Sequence, residues 1–96
     1  MAVGGAILNV ESVSTGGTMD IRSTTGIYWL IQNITWSGPI TLARATTSLT
    51  GIFLTATEAG GFFDATFLVT EASYLKVSNS STAANVCSYD GMLWSE

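Results

Sequence analysis

The sequence predicts an all-β protein: an antiparallel β-sandwich of jelly-roll type with about eight strands. Three observations lead there. Apolar and polar residues alternate with a period of two over short runs. Breaks rich in Gly, Ser and Thr recur about every 8–12 residues. No segment sustains a 3.6-residue period with capping residues at its ends. The length of 96 residues suits a single domain over residues 1–96.

Ala6, Leu8 and Val10 alternate with Ile7, Asn9 and Glu11, which reads as a first strand. Ser14 to Gly17 is a turn, because glycine adopts positive φ without strain. Met19, Ile21 and Ser23 alternate with Asp20 and Arg22, a half-exposed strand. After the break at Ser23 to Gly26 comes the most apolar run, IYWLIQNITW (27–36). Strict alternation puts Ile27, Trp29 and Ile31 on one face, and Tyr28, Leu30, Ile34 and Trp36 on the other. Two apolar faces mean burial on both sides or contact with a partner.

Pro39 has no backbone N–H for a ladder, so it belongs at a strand start or edge. Along 40–47, Arg44 shares parity with Ile40 and Leu42. Its guanidinium either snorkels to the rim or pairs with a carboxylate across an interface; snorkelling is favoured. GIFLTAT (51–57) and FFDATFLVT (62–70) follow, separated by the turn EAGG. The last part, YLKVSNSSTAANVCSYDG (74–91), reads as a hairpin with a connection of about five residues, and Asp90-Gly91 reads as a turn.

Charged residues make up 10% of the chain, against a usual ~25%, while 47% is hydrophobic and mean hydropathy is +0.40. Polarity comes mainly from Ser and Thr hydroxyls. A folded monomer of this mass exposes roughly 5,300 Å², an area normally covered with more charge. Part of the surface is therefore expected to be covered by other subunits. The alternative is a lone β-domain kept in solution by its hydroxyls.

Net charge is −4, with Arg22, Arg44 and Lys76 the only cations. Three dispersed cations argue against nucleic acid and against anionic membrane surfaces. No apolar run reaches the ~18 residues of a spanning helix, and the first ten residues lack the basic region of a signal peptide. Cys87 is the one cysteine, so no intramolecular disulfide forms; it reads as a small buried hydrophobe.

Catalytic chemistry has little to work with. Histidine is absent, and the acids Glu11, Asp20, Glu58, Asp64, Glu71, Asp90 and Glu96 lie beside turns or on polar strand faces. Neither a zinc ligand set nor a calcium loop is present, so no cofactor, metal site or enzymatic activity is expected. Asn33-Ile-Thr35 and Asn79-Ser-Ser81 match the glycosylation sequon, but both lie in strand-like segments. The aromatic residues remain. Trp29 is assigned to the core. Tyr28, Trp36, Tyr74 and Trp94 are candidate interface anchors, with Arg44 as a candidate interfacial pair; exposed tryptophans would alternatively stack on sugars.

The order of motifs completes the picture: DIR (20–22), Gly26, W-x-I-x-N-I (29–34) and Gly38, then F-L-V-T (67–70), Y-L-K-V-x-N (74–79) and YDG (89–91). Over nearly the whole chain this resembles small virion structural proteins of tailed bacteriophages. The resemblance implies a β-sandwich on the outer surface of the capsid, made in the host cytoplasm, without catalytic residues. It would act as a decoration or cement protein, a homotrimer bound to the major capsid protein. The middle section, LARATTSLTGIFLTATEAGG, departs from that family by being more apolar and less charged. The competing expectation is a glycan- or receptor-binding module of a tail fibre or spike.

Overall fold

The computed structural model describes residues 4–95, among which there are nine strands and no helix. The strands are β1 (Ala6–Val13), β2 (Thr18–Ile21), β3 (Tyr28–Trp36), β4 (Ile40–Ala45), β5 (Thr50–Ala56), β6 (Gly60–Phe62), β7 (Phe67–Val69), β8 (Tyr74–Asn79) and β9 (Asn85–Ser95). They form two antiparallel sheets. In one, β9 lies between β1 and β3, and both β6 and β7 pair with the far side of β3. In the other the order is β2–β8–β4–β5. They are called here the β9 sheet and the β8 sheet.

The inner faces meet in one core. Ile31, Ile34, Val69 and Cys87 of the β9 sheet join Met19, Ile21, Ile40, Leu42, Leu75 and Val77 of the β8 sheet. Burying a side chain of this kind contributes roughly 1.5–3 kcal/mol. The accessible surface is 5162 Å², close to the expectation for a monomer of this mass. The core is thus complete within one chain, and what is unusual is where the remaining apolar side chains lie.

Several elements follow the sequence reading. Gly16, at φ 75, turns the chain between β1 and β2, and Pro39 directly precedes β4. Cys87 is buried. Arg44 keeps the parity of Leu42, opposing the buried Leu75. Its Nη1 donates to the carbonyl of Leu68, 2.8 Å away in the opposite sheet. That is a snorkelling guanidinium; desolvation lowers its pKa.

Other elements differ, each for a local reason. Along β3 the register with β9 slips at Gln32: Ile31 opposes Gly91, while Asn33 opposes Asp90. One extra residue reverses the parity of everything after it. Ile34 and Trp36 therefore face inward with Trp29 and Ile31, and only Tyr28 and Leu30 of the apolar run face out.

The run 62–70 is not one strand: β6 (Gly60–Phe62) ends at the run's first residue and β7 takes Phe67–Val69. Asp64 sits at φ 55 between them, Asn33 Oδ1 accepts its N–H at 3.2 Å, and Ala65 N–H donates to Gln32 O. The interruption reverses parity again, so Phe62, Phe67 and Val69 pack inward while Phe63 and Leu68 are exposed.

The expected hairpin 74–91 is not one. β8 pairs with β2 and β4, and β9 with β1 and β3, so the chain crosses from one sheet to the other between them. Two buried asparagines fasten the crossing. Asn79 Nδ2 donates to the carbonyls of Val13 and Ala83, both at 2.8 Å. Asn85 Nδ2 donates to Pro39 O and to Asn79 Oδ1, both at 3.0 Å.

Asp90-Gly91 is no turn either; it lies inside β9. Gly91 is needed because a Cβ there would overlap the carbonyl oxygen of Leu30 on the neighbouring strand.

Candidate functional site

The outer face of the β9 sheet follows directly from its register. Ala6, Met92, Leu30 and Leu68 are aligned across β1, β9, β3 and β7, an apolar row spanning four strands. Tyr28 and Trp94 extend it at one end, since Trp29 and Leu93 beside them point inward. On the other side Leu8 opposes Asp90, Val10 opposes Ser88, and Val86 opposes Ser12. Leu8 is 72% exposed, Val10 65% and Trp94 53%.

The polar groups on this face largely satisfy one another. Asn33 Nδ2 donates to Asp90 Oδ1 at 2.7 Å, and Thr35 and Ser88 share a hydroxyl–hydroxyl bond. Asp90 is the only charge among the strand residues of that face. By contrast, the outer face of the β8 sheet presents Thr18, Asp20, Thr41, Lys76 and Ser78, with Asp20 directly opposite Lys76.

The five candidate contact residues divide. Tyr28, 43% exposed, and Trp94 come together on the outer face of the β9 sheet. Trp36 is 8% exposed and Tyr74 7%, so this chain already covers both. The Trp36 indole packs edge-on against Phe62, and its N–H donates to Glu58 O at 2.9 Å. The Tyr74 ring lies 4.3 Å beneath the Arg22 guanidinium, which also donates to Glu71 O. As contact anchors these two are corrected: the slip at Gln32 turns Trp36 inward, and Arg22 caps Tyr74. Arg44 is committed to Leu68 O.

Leu8, Val10, Leu68 and Val86 belong to the surface and were not singled out by sequence. The signal for Leu8 and Val10 was the alternation of β1, whose more apolar row faces outward. Leu68 and Val86 carried no such signal, because their orientation depends on the break in 62–70 and on the sheet crossing.

Beside Tyr28 lies a shallow cleft of about 220 Å³ lined by Thr25, Gly26, Tyr28, Thr70, Glu71 and Ala72. It combines an aromatic ring, two hydroxyls and a carboxylate. Arg22 Nη2 holds that carboxylate at 3.4 Å. Ligand pockets usually enclose ~300–1,000 Å³, so this cleft fits at most a single small ring.

Among the described residues no three His, Cys, Asp or Glu side chains lie close enough to hold a metal ion. The two acids with raised pKa, Cys87 and Tyr89, owe it first to burial and second to the charge of Glu11; for Tyr89 a hydrogen bond from Asn9 works the other way. Both are on β9, Cys87 within the core and Tyr89 against Trp29, placed for packing rather than for proton transfer to a ligand. No protein-family model and no characterised protein matches this chain.

Proposed function

We propose that this chain is a structural virion protein, a capsid decoration or cement protein of a tailed bacteriophage, acting on the outer surface of the head. The observation that carries this reading is the outer face of the β9 sheet. Six of the ten exposed large hydrophobic residues, Leu8, Val10, Tyr28, Leu68, Val86 and Trp94, lie on it. A concentration of exposed apolar side chains on one face commonly marks a protein contact. The partner is the major capsid protein, with the chain itself present as a symmetric homo-oligomer, a trimer by the resemblance. The mechanism is mechanical. Each contact removes apolar surface from water at about 25 cal/mol per Å², and repetition over a symmetric shell multiplies weak contacts into avidity.

The fold is read in the same proposal as a jelly roll. Counting β6 and β7 as one interrupted strand leaves eight, and the sheets then pair first–eighth–third–sixth and second–seventh–fourth–fifth. Double-sheet jelly rolls of eight strands serve in viral capsids and in lectins. Fold likeness alone does not assign function.

The test uses cognate heads stripped of this chain. The wild type should bind them saturably and raise the temperature at which they burst. Leu8→Lys/Trp94→Ala, both surface changes, should fold normally and lose both effects. Unchanged occupancy by that variant would remove the reading.

The second reading is a glycan-binding module, favoured by the cleft beside Tyr28 with Trp94 nearby. Specific binding on a glycan array, lost in Tyr28→Ala, would establish it in place of the first.

A further inference from the structure

We propose that β5 is the edge at which a second copy of this chain docks, the two β5 strands pairing antiparallel across a two-fold axis. The inference deepens the assembly reading by adding a second contact between copies: trimers paired through β5 across two-fold axes make a hexamer, and it rests on that reading for the claim that copies meet at all.

The sandwich has four edges: β1, β2, β5, and the short pair β6 and β7. An edge strand presents unpaired N–H and C=O groups, and proteins usually blunt such edges with charge, Pro, shortness or a bulge. Glu11 lies on β1 and Asp20 on β2, with Arg22 just beyond it. β6 and β7 have three residues each and are separated by a turn carrying Asp64. β5 has seven residues and no charge, and no charged residue occurs from Ala45 through Thr57. Ile52 is 62% exposed, and Leu49, just before the strand, is exposed as well.

β5 does contain a bulge, at Phe53: Leu42 opposes Leu54, and the next residue, Ala43, opposes Ile52. That bulge re-aims one side chain. It turns the Phe53 ring, still 46% exposed, to within 5.8 Å of Phe67 and 6.4 Å of Phe62 at the rim between the sheets. The residues on either side keep their outer edge free.

The chemistry of this edge selects an extended strand, and charge selects which one. The chain carries seven acids against three bases, so edges that bear charge, such as β1 with Glu11 and β2 with Asp20, set like charges together when the same edge of two copies meets. β5 is the edge where both partners are neutral. A two-fold antiparallel pair also lets each strand donate and accept the same set of backbone bonds.

The experiment combines light scattering with hydrogen exchange at two protein concentrations. The particle mass should be an even multiple of the chain, and amides within Gly51–Ala56 should exchange about tenfold more slowly at the higher concentration. Ile52→Lys and, separately, Thr55→Lys place like charges on two exposed positions; each should halve the mass and abolish the added protection while the circular dichroism spectrum is retained. An odd copy number, β5 amides indifferent to concentration, or an unchanged mass in both variants overturns the inference. Head binding by the wild type alongside any of those results would defeat this inference alone. Paired copies that ignore heads would defeat the capsid reading alone.

Discussion

The two sheets share one core but differ in regularity and in what they show to the outside. In the β8 sheet, β8 runs in unbroken register with both β2 and β4, and its outer face is mainly hydroxyls with Asp20 opposite Lys76, the exposed Ile52 standing at its β5 edge. In the β9 sheet, the central pair β3–β9 slips twice, the strand beyond β3 is broken in two, and the outer face is largely apolar. Irregular pairing costs ladder hydrogen bonds, yet here each slip re-aims side chains: the slip at Gln32 sends Trp36 inward and leaves Tyr28 and Leu30 outward. The lesson is that pairing defects, as much as composition, decide which apolar residues a β-sandwich hides and which it displays.

The sharpest way to break this comparison is at the backbone. Gly91→Ala should destabilise the fold by about 4 kcal/mol or more, since the new methyl meets the Leu30 carbonyl on a paired strand and such overlaps belong to the large-effect class. Ser78→Ala, in the regular sheet, should stay within about 0.5 kcal/mol. Urea unfolding of both measures the difference.

The crossing that joins the sheets should rank next. Asn85→Ala removes the buried amide that donates to Pro39 O and Asn79 Oδ1; Asn79 Oδ1 keeps its bonds from Ser81 but the Pro39 carbonyl loses this donor, an expected loss of about 1–3 kcal/mol, readable as a lower urea midpoint with an unchanged slope.

Alkaline pH should separate the sheets more gently. Burial raises the Cys87 thiol above its ordinary 9.0 and the Tyr89 phenol above its ordinary 10.0. Groups raised in the folded state contribute stability that is complete below the unfolded pKa and is lost as pH rises through the folded one. Stability should therefore hold to about pH 9 and decline above it, with β9 amides losing protection before those of β8. Cys87→Ala should flatten the first part of that decline.

The smallest effect should come from Lys76→Ala. Lys76 is half-buried and lies across the ladder from Asp20, a juxtaposition worth at most about 1 kcal/mol, and thermal melting should barely register its loss.

Much of the class was legible in the sequence. The two-residue period and the regular breaks led to an all-β chain, which the two sheets display; the charge deficit led to the expectation of covering subunits, and the apolar outer face of the β9 sheet is the surface that expectation points to. What was not legible depends on single residues whose role is set by distant neighbours. Asn79 and Asn85 look like turn formers, yet they bond across a sheet-to-sheet passage, so a connection short enough for a hairpin was read as one. Gly91 looks like the end of a turn, but it is there for the close approach of Leu30. Asp64 gives no sign in sequence of a positive φ. The candidate contacts inherit these limits: Tyr28 precedes the slips along β3 and Trp94 is the residue skipped at one of them, while Trp36 follows one and Tyr74 disappears beneath an arginine 52 positions earlier.

The place of β9 has a consequence for biosynthesis. It is the last strand described, yet it occupies the middle of its sheet, between the first and the third. Until residues 85–94 have left the ribosome, β1 and β3 have no ladder partner in common, and a nascent chain carries two open, apolar borders with nothing to join them. Folding must wait for that final insertion and draws on contacts of long sequence separation, which makes it slow and leaves the waiting chain prone to clumping. A cell short of chaperone capacity should therefore lose this protein to inclusion bodies, even though the finished fold is sound.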